Sequence, residues 1–346
     1  MHPFLTLSPS SQTLPSASNA IVYPLESLAV FEARGQDALT FLQGQLTNDV
    51  VAPGIGQSRL AGYCTAQGRL LSTMVLGQAP TPDEVPLLYG MMRQDILTSV
   101  LKRLTMFVLR AKVTLKPVET RVVGVTVAQA NCQSLSEALG HPLPMSEWET
   151  LHTATGIWIA APGSGLVSPD SETLSRWWWI AGSEHQSACA DIQFNWTIGL
   201  ASEWQAQDIR TGLPWIEAKT QDLFIPQTLN LELIGGVSFT KGCYPGQEIV
   251  ARSHYRGTIK KRMALGRVSA ASDVVLTPGA DIFDGSQSSE PCGRLINVST
   301  ILEDDTHPVH WILFETTFEA FDRQQLKATT DSNAHIDTQA LPYAVR

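Results

Sequence analysis

Charged residues are scarce in this chain, and the basic ones are outnumbered. Only 16% of its 346 residues are Asp, Glu, Lys or Arg, and the formal net charge is −9. An acidic whole argues against a protein whose main work is to coat nucleic acid or anionic membranes. The hydrophobic share of 43% predicts a folded chain. The length exceeds what one hydrophobic core supports, so we expect two or three domains.

Cysteines are also few, and no two of them form a CxxC pair or a zinc-type cluster with histidine. Their odd number and wide spacing suit free thiols in a reducing compartment. No uncharged apolar run approaches the roughly 18 to 20 residues that would span a bilayer. The first basic residue is Arg34, so we expect no secretory signal. The sequence therefore predicts a cytoplasmic protein without a metal site and without a membrane partner. The cysteines are Cys64, Cys132, Cys189, Cys243 and Cys292.

Periodicity predicts alternating strands and helices in the first part of the chain. Residues 1 to about 20 are rich in Ser, Pro and Thr and are predicted to form a mobile lead-in. The pattern then predicts a helix over Gln36 to Gly44 and a hairpin around the turn Thr65 to Gly68. A second helix is predicted over Arg93 to Leu104, followed by a strand over Phe107 to Leu115.

Later segments contain few residues that suggest catalysis or ligand binding. The pattern of residues 121 to 200 predicts a second α+β unit. The Trp177 to Trp179 triplet within it is predicted to serve packing rather than a functional site. Asn195 to Leu200 is predicted as a loop before a helix that Gly212 ends. Beyond about residue 261, short β-prone runs between turn clusters indicate a small all-β domain.

One unusual segment, Phe239 to Arg262, concentrates the chemistry. It contains Cys243 close to Lys241 and near a predicted helix start, and both features favour a thiolate. Cys243 is therefore a candidate reactive thiol, with a small buried hydrophobe as the alternative. Five basic residues are also present, and they indicate either a solvated face or a site for phosphate, a polyglutamyl tail or RNA backbone. They are Arg252, Arg256, Lys260, Lys261 and Arg262.

The eight-residue run KGCYPGQE, from Lys241 to Glu248, resembles the signature of the YgfZ family. FLQGQLTNDV (Phe41 to Val50) and GYCTAQGRLLS (Gly62 to Ser72) resemble two further blocks of that family in the same order. The stretch from Gln207 to Cys243, which includes FIPQ-x-x-NL, resembles a third. The resemblance covers most of residues 21 to 265 and weakens between 121 and 200.

This resemblance implies the α+β fold of the glycine-cleavage aminomethyltransferase, with three domains arranged like a clover leaf and a small C-terminal β-barrel. It also implies a ligand, tetrahydrofolate or a derivative, in a central opening. The implied function is a folate-binding accessory protein that supports iron–sulfur enzyme assembly or repair and tRNA modification. The expected partners are folate and iron–sulfur enzymes or assembly proteins, with tRNA involved only indirectly. The alternative is an enzyme that transfers one-carbon aminomethyl groups to an unknown acceptor.

On this plan the domains interleave in sequence. Residues 21–120 plus about 201–260 are predicted to form the folate-binding domain that carries KGCYPGQE. Residues 121–200 form a second α+β domain, and residues 261–346 form the C-terminal β-barrel domain.

The resemblance also assigns site residues. Trp204 falls where the family places a tryptophan that stacks on folate, although packing alone also explains a large aromatic there. A second aromatic of related proteins corresponds to Leu28 here. Gln45, Asn48 and Asp49 either face the ligand or cap the first predicted helix. Gln247, Glu248 and Arg252 of the signature segment complete the predicted folate contacts, with Cys243 and Lys241 as thiol and activator.

Position 73 bears on catalysis. The aminomethyltransferase carries an acidic pair in its hairpin, and Ser72 and Thr73 stand at the matching positions here. A hydroxyl cannot replace a carboxylate as a base near neutral pH, which disfavours glycine-cleavage catalysis. A third hypothesis is a module that holds tRNA through Arg252 to Arg262. The acidic total and the lack of stacking aromatics other than Tyr255 disfavour it.

Overall fold

The computed structural model describes residues 19–163, 166, 172–182, 195–255, 259–269, 275–286, 290–303, 307–330 and 334–345. These residues pack into two units. The first contains the described residues up to Glu26 together with Glu119–Ala201, and the second contains Ser27–Val118 and the described residues from Ser202 onward. The predicted mobile lead-in, Cys189 and Arg256 lie outside the described residues, except that the lead-in's last two residues are described. The three-domain division stays a prediction.

Short helices are interspersed among runs of strands along the chain. The helices are α1 Ala38–Gln43, α2 Gln94–Thr105, α3 Cys132–Leu139, α4 Ala201–Arg210, α5 Gln247–Tyr255 and α6 Phe318–Arg323. The strands are β1 Asn19–Pro24, β2 Leu28–Arg34, β3 Ser58–Cys64, β4 Leu70–Ala79, β5 Leu87–Arg93, β6 Thr114–Val118, β7 Thr120–Ala128, β8 Thr150–Thr153, β9 Gly156–Ala160, β10 Leu174–Gly182, β11 Asn195–Ile198, β12 Lys261–Ser269, β13 Asp281–Asp284, β14 Pro291–Glu303, β15 His307–Thr317, β16 Leu326–Lys327 and β17 Asp337–Gln339. Short 3₁₀ turns cover Gln129–Asn131 and Pro226–Leu229.

The first unit is built on a sheet in the order β11-β1-β7-β10-β9-β8. The tryptophan triplet lies in β10, and all three indoles are buried, which confirms packing as their role. Trp177 and Trp179 join the core on one face, where Trp179 stacks on Trp158 at a ring-centroid distance of 5.2 Å. Trp178 stacks instead on Trp148 at 6.0 Å, as expected for alternating strand positions.

The second unit begins with an antiparallel sheet in the order β3-β4-β5-β2-β6. Helix α2 packs on this sheet through an apolar stripe with helical spacing, which confirms the helix predicted over Arg93 to Leu104. The predicted hairpin is also confirmed, because β3 and β4 pair on either side of the Thr65 to Gly68 turn. The stripe consists of Ile96, Leu97, Val100, Leu101 and Leu104.

The same unit ends in a curled sheet in the order β16-β13-β14-β15-β12-β17. Its core is formed by alternate residues of long strands, such as Ile312 and Phe314 of β15, with Ala320 of α6 packed against them. This sheet fits the small C-terminal β domain that the sequence predicts, and the whole chain is of the predicted α+β class.

Two local predictions are wrong. Phe107 to Leu115 is not one strand: turns follow α2, Leu109 is 89% exposed with a φ of +40°, and strand structure resumes only at Thr114. Asn195 to Leu200 is not a loop, because β11 pairs in parallel with β1. Its partner is so distant in sequence that local composition does not reveal the pairing. The predicted glycine at the end of α4 is confirmed, since Gly212 has a φ of +70°.

None of the helices in the described ranges is long and apolar enough to cross a membrane.

Candidate functional site

Residues 239–246, here called the thiol loop, lead directly into α5 and carry Cys243. Among the described cysteines, Cys243 is the exposed one. Cys64 is buried at the end of β3, and burial raises the pKa of its thiol to about 12. Burial likewise raises the pKa of the Cys132 and Cys292 thiols. The loop therefore presents the exposed thiol among the described cysteines.

Lys241 fixes the first part of the thiol loop. Its side chain is turned inward and is 9% exposed, and Nζ donates to the carbonyl oxygens of Leu46, at 2.6 Å, and Gln43. Gln43 is the last residue of α1, where cations are stabilised, and Leu46 lies three residues beyond it. Burial lowers the pKa of the Lys241 ammonium to about 8, while the charges of Asp49 and Cys243 act in the opposite direction. Lys241 thus joins the loop to α1 and interacts electrostatically with the thiol.

Gly246 fixes the other end of the loop. Its φ is +81°, and a Cβ there would lie 2.5 Å from the carbonyl oxygen of Thr65 and 2.6 Å from Cα of Gly68. Only glycine fits this close approach to the hairpin turn between β3 and β4. The carbonyl of Gly246 then accepts from the N–H groups of Ile249 and Val250, which begins α5.

The segment after α1 is held by its own side chains. Nδ2 of Asn48 donates to the carbonyl oxygens of Leu60 and Gly235, each at 2.7 Å, while its Oδ1 accepts from the N–H of Asp49. Thr47 makes a similar cross-link, since its hydroxyl donates to Gly236 O and accepts from Gly62 N, both at 2.7 Å. Three blocks distant in sequence are thereby brought together beside the thiol loop.

Asp49 and Gln45 differ from Asn48 in their bonding. Oδ1 of Asp49 accepts from the N–H of Ala52 at 2.9 Å and of Val51 at 3.0 Å, and the bond from Ala52 is the main cause that holds the pKa of this carboxyl below its usual value. Oε1 of Gln45 is buried and has no hydrogen-bond partner among the described residues. Of the polar side chains predicted in this segment, Gln45 therefore has acceptor capacity left for another molecule.

Helix α5 carries the remaining signature residues. Gln227 of the FIPQ block anchors the helix, because its Nε2 donates to the carbonyl oxygen of Val250 at 2.7 Å. Glu248 and Arg252 are exposed one turn apart, and Gln247 is half-buried at the helix start. Residue-level reasoning did not single out Gln227, although the block containing it was recognised.

Individual proteins of known family resemble this chain in sequence, although no protein-family model matches it. A "tRNA-modifying protein YgfZ" of Edwardsiella ictaluri is 34% identical over 244 residues, which cover 68% of this chain and 67% of that protein. The protein of the same name from Yersinia pestis is 31% identical over 268 residues, 74% of each chain. The chain belongs to the YgfZ family.

Two further comparisons extend the match. The YgfZ protein of Cronobacter sakazakii is 29% identical over 348 residues and covers 99% of both chains. Among solved structures, the glycine cleavage system aminomethyltransferase T of Bartonella henselae superposes with a TM-score of 0.67 over 94% of this chain and 86% of its own. Its sequence identity is 12%, so this match shows the fold alone. This chain therefore has the aminomethyltransferase-type fold that the resemblance predicts.

The tryptophan predicted to stack on folate is internal in this YgfZ protein. Trp204 lies on α4 and is 1% exposed. One helical turn further on, Oδ2 of Asp208 accepts from Nε1 of Trp215 at 3.0 Å. The backbone of Trp215 is in turn bonded in both directions by the amide of Asn297. Stacking of a pterin on Trp204 thus requires the packing around α4 to open. Leu28, at the position of the second aromatic, is buried at the start of β2.

A half-buried ion pair that the sequence did not predict lies beside this network. Arg93 and Glu217 approach to 3.6 Å, and Asn297 Nδ2 donates to Glu217 at 3.0 Å. Burial raises the pKa of Glu217, although the Arg93 charge opposes the change. Nothing local in the sequence pairs positions 93 and 217, since the contact depends on the fold.

Thr73, where the resemblance places an acidic residue of the aminomethyltransferase, is fully engaged. It is buried in β4, where its hydroxyl donates to the carbonyl oxygen of Pro214 at 3.0 Å and accepts from the N–H of Ile216 at 2.9 Å. The hydroxyl of Ser72 donates to its neighbour's carbonyl oxygen at 3.0 Å. Of the two, the Thr73 side chain holds the connection after α4.

Across the described residues, no group of three or more His, Cys, Asp and Glu side chains is placed to hold a metal ion.

The predicted basic run divides in two. Arg262 pairs with Glu232 at 2.5 Å and Lys261 with Glu315 at 3.6 Å, whereas Arg252 and Lys260 are exposed.

Proposed function

We propose that this YgfZ-family protein binds tetrahydrofolate or a derivative and supports iron–sulfur enzymes that act in tRNA modification, with Cys243 as its reactive group. The observation that carries the proposal is an exposed thiol on a loop whose two ends are fixed, by Lys241 on α1 and by Gly246 on the hairpin turn. The curated relatives are named tRNA-modifying proteins, which supports the tRNA part.

The surroundings of Cys243 suit a reactive sulfur. A thiolate reacts when it is accessible and when a nearby cation stabilises its charge. Cys243 is exposed, and the ammonium of Lys241, two residues before it, interacts with its charge. Because Lys241 is anchored on backbone carbonyls, its charge has a fixed position instead of moving freely in solvent.

Folate binding rests on the fold and on unused polar groups near the thiol loop. The buried Oε1 of Gln45 would accept from a pterin amine, and exposed Arg252 would pair with a glutamyl carboxylate. Gln247 and Glu248 supply further polar contacts beside them. Asn48 and Asp49 contribute by holding this segment in place, since their hydrogen bonds are made within the chain.

The engagement of Thr73 favours an accessory protein over an aminomethyl transferase. A transferase of this fold needs a carboxylate near the folate nitrogen, and the Thr73 hydroxyl is committed to Pro214 and Ile216.

Calorimetric titration of the purified protein with tetrahydrofolate tests the cofactor. We expect saturable binding by the wild type and by Cys243→Ala. If the packing around α4 opens so that the pterin stacks on Trp204, Trp204→Phe, which preserves most of the core volume, should bind more weakly. Trp158→Phe removes an equally buried indole in the first unit and should bind as the wild type does. No binding by the folded wild type would refute the folate part of the proposal.

The thiol is tested in cells that lack their own YgfZ protein, by mass spectrometry of tRNA nucleosides whose modification needs an iron–sulfur enzyme. Wild type and Cys292→Ala should restore the modification, whereas Cys243→Ala should not. Full restoration by Cys243→Ala would show that the thiol is dispensable.

A further inference from the structure

Three aromatic rings meet at the surface where α5 ends. The ring of Phe239, at the start of the thiol loop, stacks on His254 with centroids 3.9 Å apart and planes 19° from parallel. Tyr255 contacts both rings edge-on, at 4.7 Å from His254 and 5.8 Å from Phe239. We call Phe239, His254 and Tyr255 the aromatic platform.

The platform is held in place and is still open to solvent. The Phe239–His254 stack fixes two of the rings against each other, and their edges set the orientation of Tyr255. Tyr255 is nevertheless 68% exposed, and His254 is exposed as well. A large ring that is oriented but not covered loses little conformational freedom when another flat group stacks on it.

Positive charge lies beside the platform. Arg252 is exposed and is three residues before Tyr255 on α5, so the two side chains share one side of the helix. Glu248, the acidic residue of the same helix side, lies a turn further from the platform. The net charge of the molecule is negative, so a generally basic surface does not explain an exposed guanidinium beside aromatic rings.

We propose that the aromatic platform binds unpaired RNA nucleotides, with a base stacked on Tyr255 and a phosphate paired with Arg252. Exposed aromatic rings next to Arg or Lys are the usual means of holding single-stranded nucleic acid, because every base has a face that stacks. The inference goes beyond the proposed function, in which tRNA is reached only through iron–sulfur enzymes. It is tested without folate, because Arg252 is also the residue proposed to pair with a glutamyl carboxylate.

Fluorescence anisotropy of a labelled single-stranded RNA, titrated with the purified full chain in the absence of folate, tests the proposal. Tyr255→Ala should raise Kd by about 5- to 150-fold, the range found when one stacking ring is removed. Tyr255→Phe keeps the ring and should stay within about 2-fold of the wild type. Phe107→Ala, which removes another exposed aromatic, is the matched control and should bind as the wild type does.

The salt dependence tests the phosphate contact separately. Between 50 and 200 mM salt, Arg252→Gln should reduce the slope of log K against log[salt] by about 0.7, the value for one contact to a single strand. Arg59→Gln removes the same charge from an exposed position on β3 and should leave the slope unchanged.

The proposal is overturned if the wild type binds no RNA, if a blunt duplex of the same sequence binds as tightly, or if Tyr255→Ala and Phe107→Ala behave alike. None of these results bears on tetrahydrofolate titration, so failure here and failure of the folate proposal are distinguishable.

Discussion

Cys243 and Cys64 carry the same thiol in opposite settings within the second unit. Cys64 ends β3 and is 2% exposed, and burial raises its pKa to about 12. Cys243 is exposed on a loop held by Lys241 at one end and by Gly246 at the other. The turn that begins next to Cys64 is the one against which Gly246 packs. One hairpin therefore encloses one sulfur and supports the loop that presents the other.

The difference shows how the environment selects the reactive residue. Thr73, in the second strand of the same hairpin, is enclosed as Cys64 is, since its hydroxyl is hydrogen-bonded to Pro214 and Ile216. A polar side chain whose partners are all within the protein has nothing left to offer a substrate. In this part of the chain, structural hydrogen bonds hold the backbone while the thiol of Cys243 stays open.

The largest expected effect is on alkylation. At pH 8, a thiol with a pKa of about 12 is ionised in roughly one molecule in 10,000, and only the thiolate reacts. We expect iodoacetamide to modify Cys243 at least about 1,000-fold faster than Cys64 in the folded protein. Peptide mapping by mass spectrometry measures both rates. In urea the two alkylation rates should converge. Similar rates in the native protein would contradict the difference in reactivity between Cys243 and Cys64.

The next effect concerns the fixed end of the thiol loop. Gly246→Ala places a Cβ 2.5 Å from Thr65 O at a positive φ, so we expect it to lower the free energy of unfolding by about 2–4 kcal/mol. Gly242→Ala is the matched control in the same loop, because nothing lies within 4 Å of its Cβ position. It should change stability by less than about 0.5 kcal/mol. Urea denaturation measures both, and equal effects would mean that the loop is not anchored at Gly246.

Thr73→Val tests the enclosed hydroxyl. Valine has nearly the same shape but leaves the N–H of Ile216 and the carbonyl of Pro214 without their partner, which should destabilise the protein by about 1–3 kcal/mol. Thr73→Ser keeps the hydroxyl and should lose less. If the Thr73→Val variant is as stable as the wild type, the hydroxyl contributes little to the stability of the connection after α4. Position 73 would then tolerate substitution better than its hydrogen bonds indicate.

The sequence predicted the parts of this architecture that depend on local pattern. The apolar spacing of Ile96 to Leu104 predicted α2, and the Thr65 to Gly68 turn predicted its hairpin. It did not predict the pairing of β11 with β1 or the ion pair of Arg93 with Glu217, because both join residues far apart in the chain. The signature directed attention to Lys241, but its bonds to the carbonyls after α1 are visible only in three dimensions.

The smallest expected effect is the pH dependence that Lys241 adds. Its pKa is about 8 in the folded protein and near the ordinary value of 10.5 when unfolded. Between these values the unfolded chain binds more protons, so the free energy of unfolding rises with pH. Relative to Lys241→Met, the wild type should gain on the order of 1 kcal/mol between pH 7.5 and 10, after allowance for partial solvent screening. Urea denaturation of both proteins across this range measures the gain. Parallel pH profiles would mean that the ammonium is as well solvated in the folded protein as in the unfolded chain, and that Lys241 does not anchor the thiol loop through a buried charge.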